Sequence, residues 1–436
     1  MEINSDFSAF AAQRAHPGDF KYVEKLLAQE IAEGNPHAML AARLIEGAKI
    51  MDMRKAENLE VGFRYTQPDE SGKEIPLVRD KKNPAFYEDI KMAGASWADV
   101  TDTVLQNPQI WNRDARASLS GIIYGLGKDG LPINPFFANG TGITGRGTLG
   151  LYGPNRAVDL AIRSTSIDPA TGKQVRSLVT AITRAHDNHQ FAVAGGFEKY
   201  TINRDGSINS SPKQVYEAMA MELFEEMISN SVPLNEDELE EAKQRAILEI
   251  IQCEAGIDGE LDAHAADELR VQALVERKVE KVKQHDPEFF PRLIQFLMKN
   301  DLQDAEQEYL YQGPCQCDNR TTDKAWIETR LKVIEAEDLQ REVLDVSGNG
   351  VFKYEWAAGD DASSIQEIPL DAKLVKGAFA SHGMIFSIIA AYDLLTNADT
   401  GPDIVAQYQT IERYFEEEGF LLPLVHSKVE PSPGVP

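Results

Sequence analysis

The chain has 436 residues, with 44 Lys and Arg against 70 Asp and Glu, for a formal charge of −26. Such a balance leaves no basic face for nucleic-acid phosphates and disfavours an anionic membrane surface, although a divalent metal could still offset carboxylates around an anionic small molecule. The length fits two or three domains, or one domain with large insertions. No stretch approaches the roughly 18 apolar residues of a membrane span, and the opening MEINSDFSAF lacks the basic-then-apolar pattern of a signal peptide. Three cysteines, Cys253, Cys315 and Cys317, suit a reduced, cytoplasmic setting. Cys315-Gln-Cys317 could be half of a metal site, but no second Cys or His pair stands at zinc spacing.

In chain order, Phe20, Val23, Leu26, Leu27 and Ile31, then Met39, Leu40, Leu44 and Ile45 after Pro36, predict two helices over 19–57. Residues 58–83 are polar and turn-rich, as in an extended linker. From 84 to about 210, Gly, Pro and Asn alternate with β-rich runs such as Ser177–Ile182 and Gln190–Val193, which predicts α/β or α+β texture. Residues 211–308 are helical and charged, 325–358 return to strands, and helices follow near 382–396 and 402–418. The tail PSPGVP is predicted to be disordered.

The helix near 218–226 carries Glu222, Glu225 and Glu226. At i, i+3 and i+4 these carboxylates share one face, which costs a few tenths of a kcal/mol per solvated pair. A solvated acidic face is the plain reading, and the chain makes another at Glu236–Glu241. Here, however, Val215, Ala218, Met219, Leu223 and Phe224 make much of the helix apolar. A hard cation such as Mg²⁺ would offset the repulsion, since it binds through one or two carboxylates plus substrate phosphates. Upstream, Phe191-Ala-Val-Ala-Gly195-Gly196 reads as a strand ending where backbone can approach a ligand or metal closely.

Strand, Gly-Gly, loop and a helix with Glu-x-x-Glu-Glu together resemble the Nudix box. The departures are Met221 where the box has Arg, Lys213 where it has an earlier Glu, and a loop about 11 residues longer than the pattern. Losing that Arg and Glu together removes an ion pair without stranding either charge. Further segments resemble the ADP-ribose pyrophosphatase branch, and with it the homology domain of melastatin-type cation channels. These are Ala93–Asp99, Thr144–Gly150 with Gly153-Pro-Asn155, Phe191–Gly196, Asp318–Thr329, Ala358–Ala362 and Ala380-Ser-His382, in the family's order.

The resemblance implies a Nudix α/β/α sandwich with a cap lobe. The domains are then a helical extension and linker at 1–83, a cap lobe at 84–160 and a hydrolase domain at 161–398. A helical insertion lies at about 233–308, and a final helix and tail at 399–436. The implied reaction is Mg²⁺-dependent cleavage of ADP-ribose to AMP and ribose 5-phosphate, with Mn²⁺ as an alternative metal. Glu222, Glu226 and the Gly196 carbonyl would hold the metal, and Glu225 would share that role or orient water. Asp318, Arg320, Trp326, His382, Arg146 and Asn155 would bind substrate. A protein partner could use the insertion. The competing expectations are a non-catalytic ADP-ribose-binding module and a Nudix hydrolase of another nucleoside diphosphate derivative.

Overall fold

The computed structural model describes residues 16–57, 66–68, 74–76, 119–125, 127, 131–137, 141, 149, 152–184, 190–198, 201–202, 208–209, 212–256, 263–299, 309–347, 352–359, 362–397 and 400–423. The Ala93–Asp99 motif, Arg146, Asp360, Asp361 and the tail beyond 423 lie outside these residues.

The centre is a seven-stranded mixed sheet. Its long strands are β3 (Gly153–Ile167), β4 (Gln174–Arg184), β10 (Ala325–Glu335) and β11 (Ala362–Pro369), with β9 (Tyr311–Pro314) at one edge. The order is β11-β4-β3-β10-β9, and β5 (Phe191–Ala192) and β6 (Ala194–Phe197) pair with β4 and β3. β10 runs parallel to β3, and the other pairings are antiparallel. Two short hairpins complete the strands: β1 (Thr66–Pro68) with β2 (Glu74–Pro76), and β7 (Thr201–Ile202) with β8 (Ile208–Asn209).

Alternation assigns the faces. Val158, Leu160, Ile162 and Ile334 belong to one core, which also contains α3 (Pro212–Met227) and α6 (Phe289–Met298). Ala161, Val179, Ala181 and Leu331 belong to the other, with α1 (Lys21–Glu33), α2 (Ala38–Glu57), α9 (His382–Thr396) and α10 (Pro402–Glu417). The result is three layers, helices on both faces of a sheet. α9 is apolar all round because it is buried among α1, α2, α10 and the sheet. The amino-terminal helices, expected as an extension, thus share the core of one layer.

Local chemistry sets the ends of these elements. Gly34, at φ 81°, closes α1 in the left-handed conformation. The Asp371 carboxylate accepts from the N–H groups of Lys373 and Leu374 at 2.9 and 3.2 Å, capping α8 (Ala372–Lys376). Pro402 occupies the first turn of α10. In the insertion, Asn235 and Glu238 form a reciprocal capping box at 2.8 and 2.9 Å at the start of α4 (Glu236–Gly256). α4 pairs with α5 (Ala263–His285) through Ala242, Ala246 and Ala273, and through Arg277–Glu241 and Lys281–Glu238 at 3.1 and 2.7 Å. Ile247, Leu248 and Ile251 are exposed on α4.

Several expectations change. β3 runs unbroken from Gly153 to Ile167. Strand does not continue after Glu335: α7 (Ala336–Leu339) and a π turn over 340–344 follow, because Leu339, Val343 and Leu344 must reach the α3 core. Residues 362–369, unassigned by the sequence, are β11. Cys315 and Cys317 are buried and the Cys317 thiol donates to the Asp52 carbonyl at 3.0 Å. Burial pushes both thiols well above their usual range, which disfavours the thiolates a metal would need. Among the described residues no helix is long and apolar enough to cross a membrane.

α2 and α10 meet at Gly47, where an added Cβ would overlap the Phe415 ring. Gly47→Val should therefore destabilise the chain by about 2 kcal/mol through overpacking. A urea denaturation midpoint equal to or above that of the parent would contradict this packing.

Candidate functional site

The glutamate helix α3 runs across β6, and their contact is the centre of the site. The Gly195 N–H donates to Glu226 Oε2 at 2.8 Å. One residue on, the α-carbon of Gly196 faces the Glu222 carboxylate so closely that a Cβ there would overlap it. Gly195 is equally constrained from the other face: a Cβ would fall on the Asp159 carboxylate and within 2.5 Å of the Val158 carbonyl. The two glycines are therefore required by the close approach of the Glu222 and Asp159 side chains.

α3 is also gripped from behind. The Gly359 and Ala357 N–H groups donate to the carbonyls of Glu226 and Met227 at 2.7 and 2.8 Å. These are carbonyls of the last turn, which the helix itself leaves unpaired. Glu226 is 5% exposed, whereas Glu222 and Glu225 are half-buried.

Two other predicted segments converge on the β5–β6 stretch. Arg320 grips Asp318 with a two-pronged contact, Nε to Oδ1 at 2.9 Å and Nη2 to Oδ2 at 2.7 Å. Its guanidinium lies 5.6 Å from the ring centroid of Phe197, the residue after Gly196. His382 opens α9, and its Nδ1 accepts from the Val193 N–H at 3.3 Å, so the proton of the neutral ring is on Nε2. Ser381 accepts from the Cys317 N–H at 3.2 Å, tying that turn to the Asp318 loop. The turn is strained, with Ala380 at φ 44° in the left-handed region.

Two predicted binding residues have interior positions. Trp326 is 1% exposed, its Nε1–H donates to Glu328 at 2.7 Å, and its ring packs edge-on against Tyr124 at 5.1 Å. It offers a base no open face. Asn155 is buried, and its amide donates to the carbonyls of Gly153 and Trp326 at 3.2 and 3.4 Å, fixing the start of β3 beside β10. Arg146 lies outside the described residues. A surface cavity of about 630 Å³ lined by Lys213, Glu217, Ile294 and Met298 lies at the far end of α3, away from the carboxylates.

A buried polar strip escaped the sequence reading. On the α3 face of the sheet stand Arg156, Glu328 and Arg330, joined by Glu198 at the end of β6. Arg330 contacts Glu198 and lies over Tyr309. Burial and then the neighbouring Arg156 depress Arg330 to about 9, which leaves it charged at neutral pH. Burial raises Glu328 to about 7, against hydrogen bonds from Leu119 and Trp326 and the charge of Arg156. On the opposite face Thr329 donates to Asp159 at 2.7 Å. The available signal was charge inside otherwise apolar strands, NRAVDLAI and WIETRLKVI, since buried charges occur only when paired.

The fit of a divalent cation can be judged from the donors. Among the described residues no three His, Cys, Asp or Glu side chains gather as a metal-binding group. Mg²⁺ does not need such a cage, because it binds through one or two carboxylates and fills its shell with water and phosphate oxygens. The hard oxygens of Glu222 and Glu226 over the Gly195–Gly196 cradle fit it.

No protein-family model matches the chain. Part of it is 34% identical over 129 residues to a Nematostella vectensis protein described as transient receptor potential cation channel subfamily M member-like 2, covering 27% of this chain and 8% of that one. Part is 30% identical over 116 residues to putative nudix hydrolase 6 of Caenorhabditis elegans, covering 26% of this chain and 42% of that one. The chain thus spans less than half the length of either relative. The two similarities suggest a Nudix-related domain.

Glu328 gives the site a pH signature. Between its ordinary value of 4.5 and about 7, the folded chain holds a proton that the unfolded chain has released. Its contribution is full below about pH 4.5 and is lost as pH rises through about 7, an effect of order 3 kcal/mol. The urea midpoint of Glu328→Gln should accordingly fall less than the parent's between about pH 5 and about pH 7.5. Identical slopes would contradict the assignment.

Proposed function

We propose that the chain is a Mg²⁺-dependent Nudix hydrolase that splits the pyrophosphate bond of ADP-ribose into AMP and ribose 5-phosphate. The observation that carries this reading is the contact of two helix carboxylates, Glu222 and Glu226, with consecutive glycines of one strand. That contact joins the two halves of the motif that the sequence separates by a long loop. The partial similarity to a putative nudix hydrolase supports the reaction class.

In this reading Glu222, Glu226 and the Gly196 carbonyl hold the metal. When bound, it supplies charge neutralisation on the phosphate oxygens and a water of lowered pKa. Gly195 fixes Glu226 by donating its N–H to one carboxylate oxygen. Glu225, half-buried one residue away, orients the attacking water. Asp318 holds the Arg320 guanidinium in one orientation, and a preset fork loses little entropy when it meets a phosphate. His382 offers the Nε2–H to a ribose hydroxyl, its tautomer set by Val193. Trp326 and Asn155 serve indirectly, holding Glu328 and the β3–β10 junction.

A second reading, a module that binds ADP-ribose without cleaving it, is favoured by Met221, Lys213 and the similarity to a channel protein. The same experiment separates the two. Purified chain with ADP-ribose and Mg²⁺ should release AMP, and Glu226→Gln should lower the rate by about 100-fold or more while melting as the parent does. Calorimetric binding of ADP-ribose with no AMP would establish the second reading. Turnover of other nucleoside diphosphate derivatives in preference to ADP-ribose would move the substrate within the same class.

A further inference from the structure

Glu198 plays no part in the reading above, yet its position is unusual. Its N–H donates to the Arg156 carbonyl at 2.8 Å, so the β6–β3 ladder continues one step beyond Phe197. By alternation its side chain lies on the same face as Gly196, the face on which the Glu222 carboxylate rests. Glu198 is 4% exposed. One carboxylate oxygen contacts Arg330, while Oε2 has no hydrogen-bond partner among the described residues.

An unsatisfied oxygen on a buried carboxylate is costly, and native interiors rarely keep one without a ligand or water to complete it. Charge balance does not account for it. Arg330 pairs with Glu198 through the other carboxylate oxygen alone, so the ion pair is complete with Oε2 still unused. Glu198 is also not a member of the Glu-x-x-Glu-Glu helix, so the motif gave no reason to consider it.

We propose that Glu198 is a positioning residue of the metal site, its Oε2 accepting a hydrogen bond from water bound to the cation that Glu222 and Glu226 hold. Arg330 fixes the carboxylate through its other oxygen. The inference rests on the metal reading given above, and its test separates failure of the two.

Mn²⁺ is titrated calorimetrically into the metal-free full chain, with no turnover involved. Glu198→Gln should weaken Mn²⁺ binding about 10- to 100-fold. Because Gln strands the Arg330 charge, Glu198→Gln/Arg330→Met, which removes both charges, is measured beside it and should show the same loss. Glu198→Asp, which keeps the charge one methylene short, should fall between Gln and the parent. Parent-like affinity in the double variant, with Glu222→Gln losing binding, overturns the role of Glu198. A parent chain that binds no Mn²⁺ overturns the metal reading, and this proposal with it.

Discussion

The distance between α3 and β6 is set by side chains that are absent. A Cβ at Gly196 would meet the Glu222 carboxylate, one at Gly195 would meet Asp159, and one at Gly359 would fall on the Glu225 carbonyl. The helix is therefore held between glycines on two sides. Hydrogen bonds use the space this leaves: Gly195 to the Glu226 side chain on one side, Gly359 and Ala357 to terminal carbonyls on the other. A carboxylate pinned by a backbone donor in a buried place is held in one orientation before any ligand arrives.

The second constraint is charge. A sheet covered by helices on both faces has little water to solvate ions, so each buried charge needs a partner. Arg330 has Glu198, Arg320 has Asp318, and Arg163 has Glu335 and Asp393. These interior pairs are close to balanced. The excess behind the −26 charge is carried instead by solvated surfaces such as Glu236, Asp237, Glu240 and Glu241 on α4. Acidity of that kind favours solubility and says little about an anionic ligand.

Parts of this were legible in the sequence for identifiable reasons. α9 and α10 stand almost where their apolar patterns placed them, because each is bounded by a plain local signal. The helix over Pro212–Met227 was legible because its apolar residues recur at helical spacing. β11 was not legible, since ASSIQEIP lies at a sheet edge and carries little apolar alternation. The layer role of α1 and α2 depends on contacts with α9 and α10, hundreds of residues away, which no local pattern encodes. Trp326 shows the limit of motif matching. The residue stands in the right segment, but its indole is committed to Glu328, and only packing reveals that.

The central claim is that the carboxylates of α3 and the glycines of β6 form one metal-holding, pyrophosphate-binding site. Anomalous diffraction from crystals grown with Mn²⁺ and a non-hydrolysable ADP-ribose analogue tests it directly. The account predicts a manganese peak between the Gly196 carbonyl and the carboxylates of Glu222 and Glu226, in contact with the analogue's phosphates. A bound analogue with manganese at another place, or with none, would contradict it.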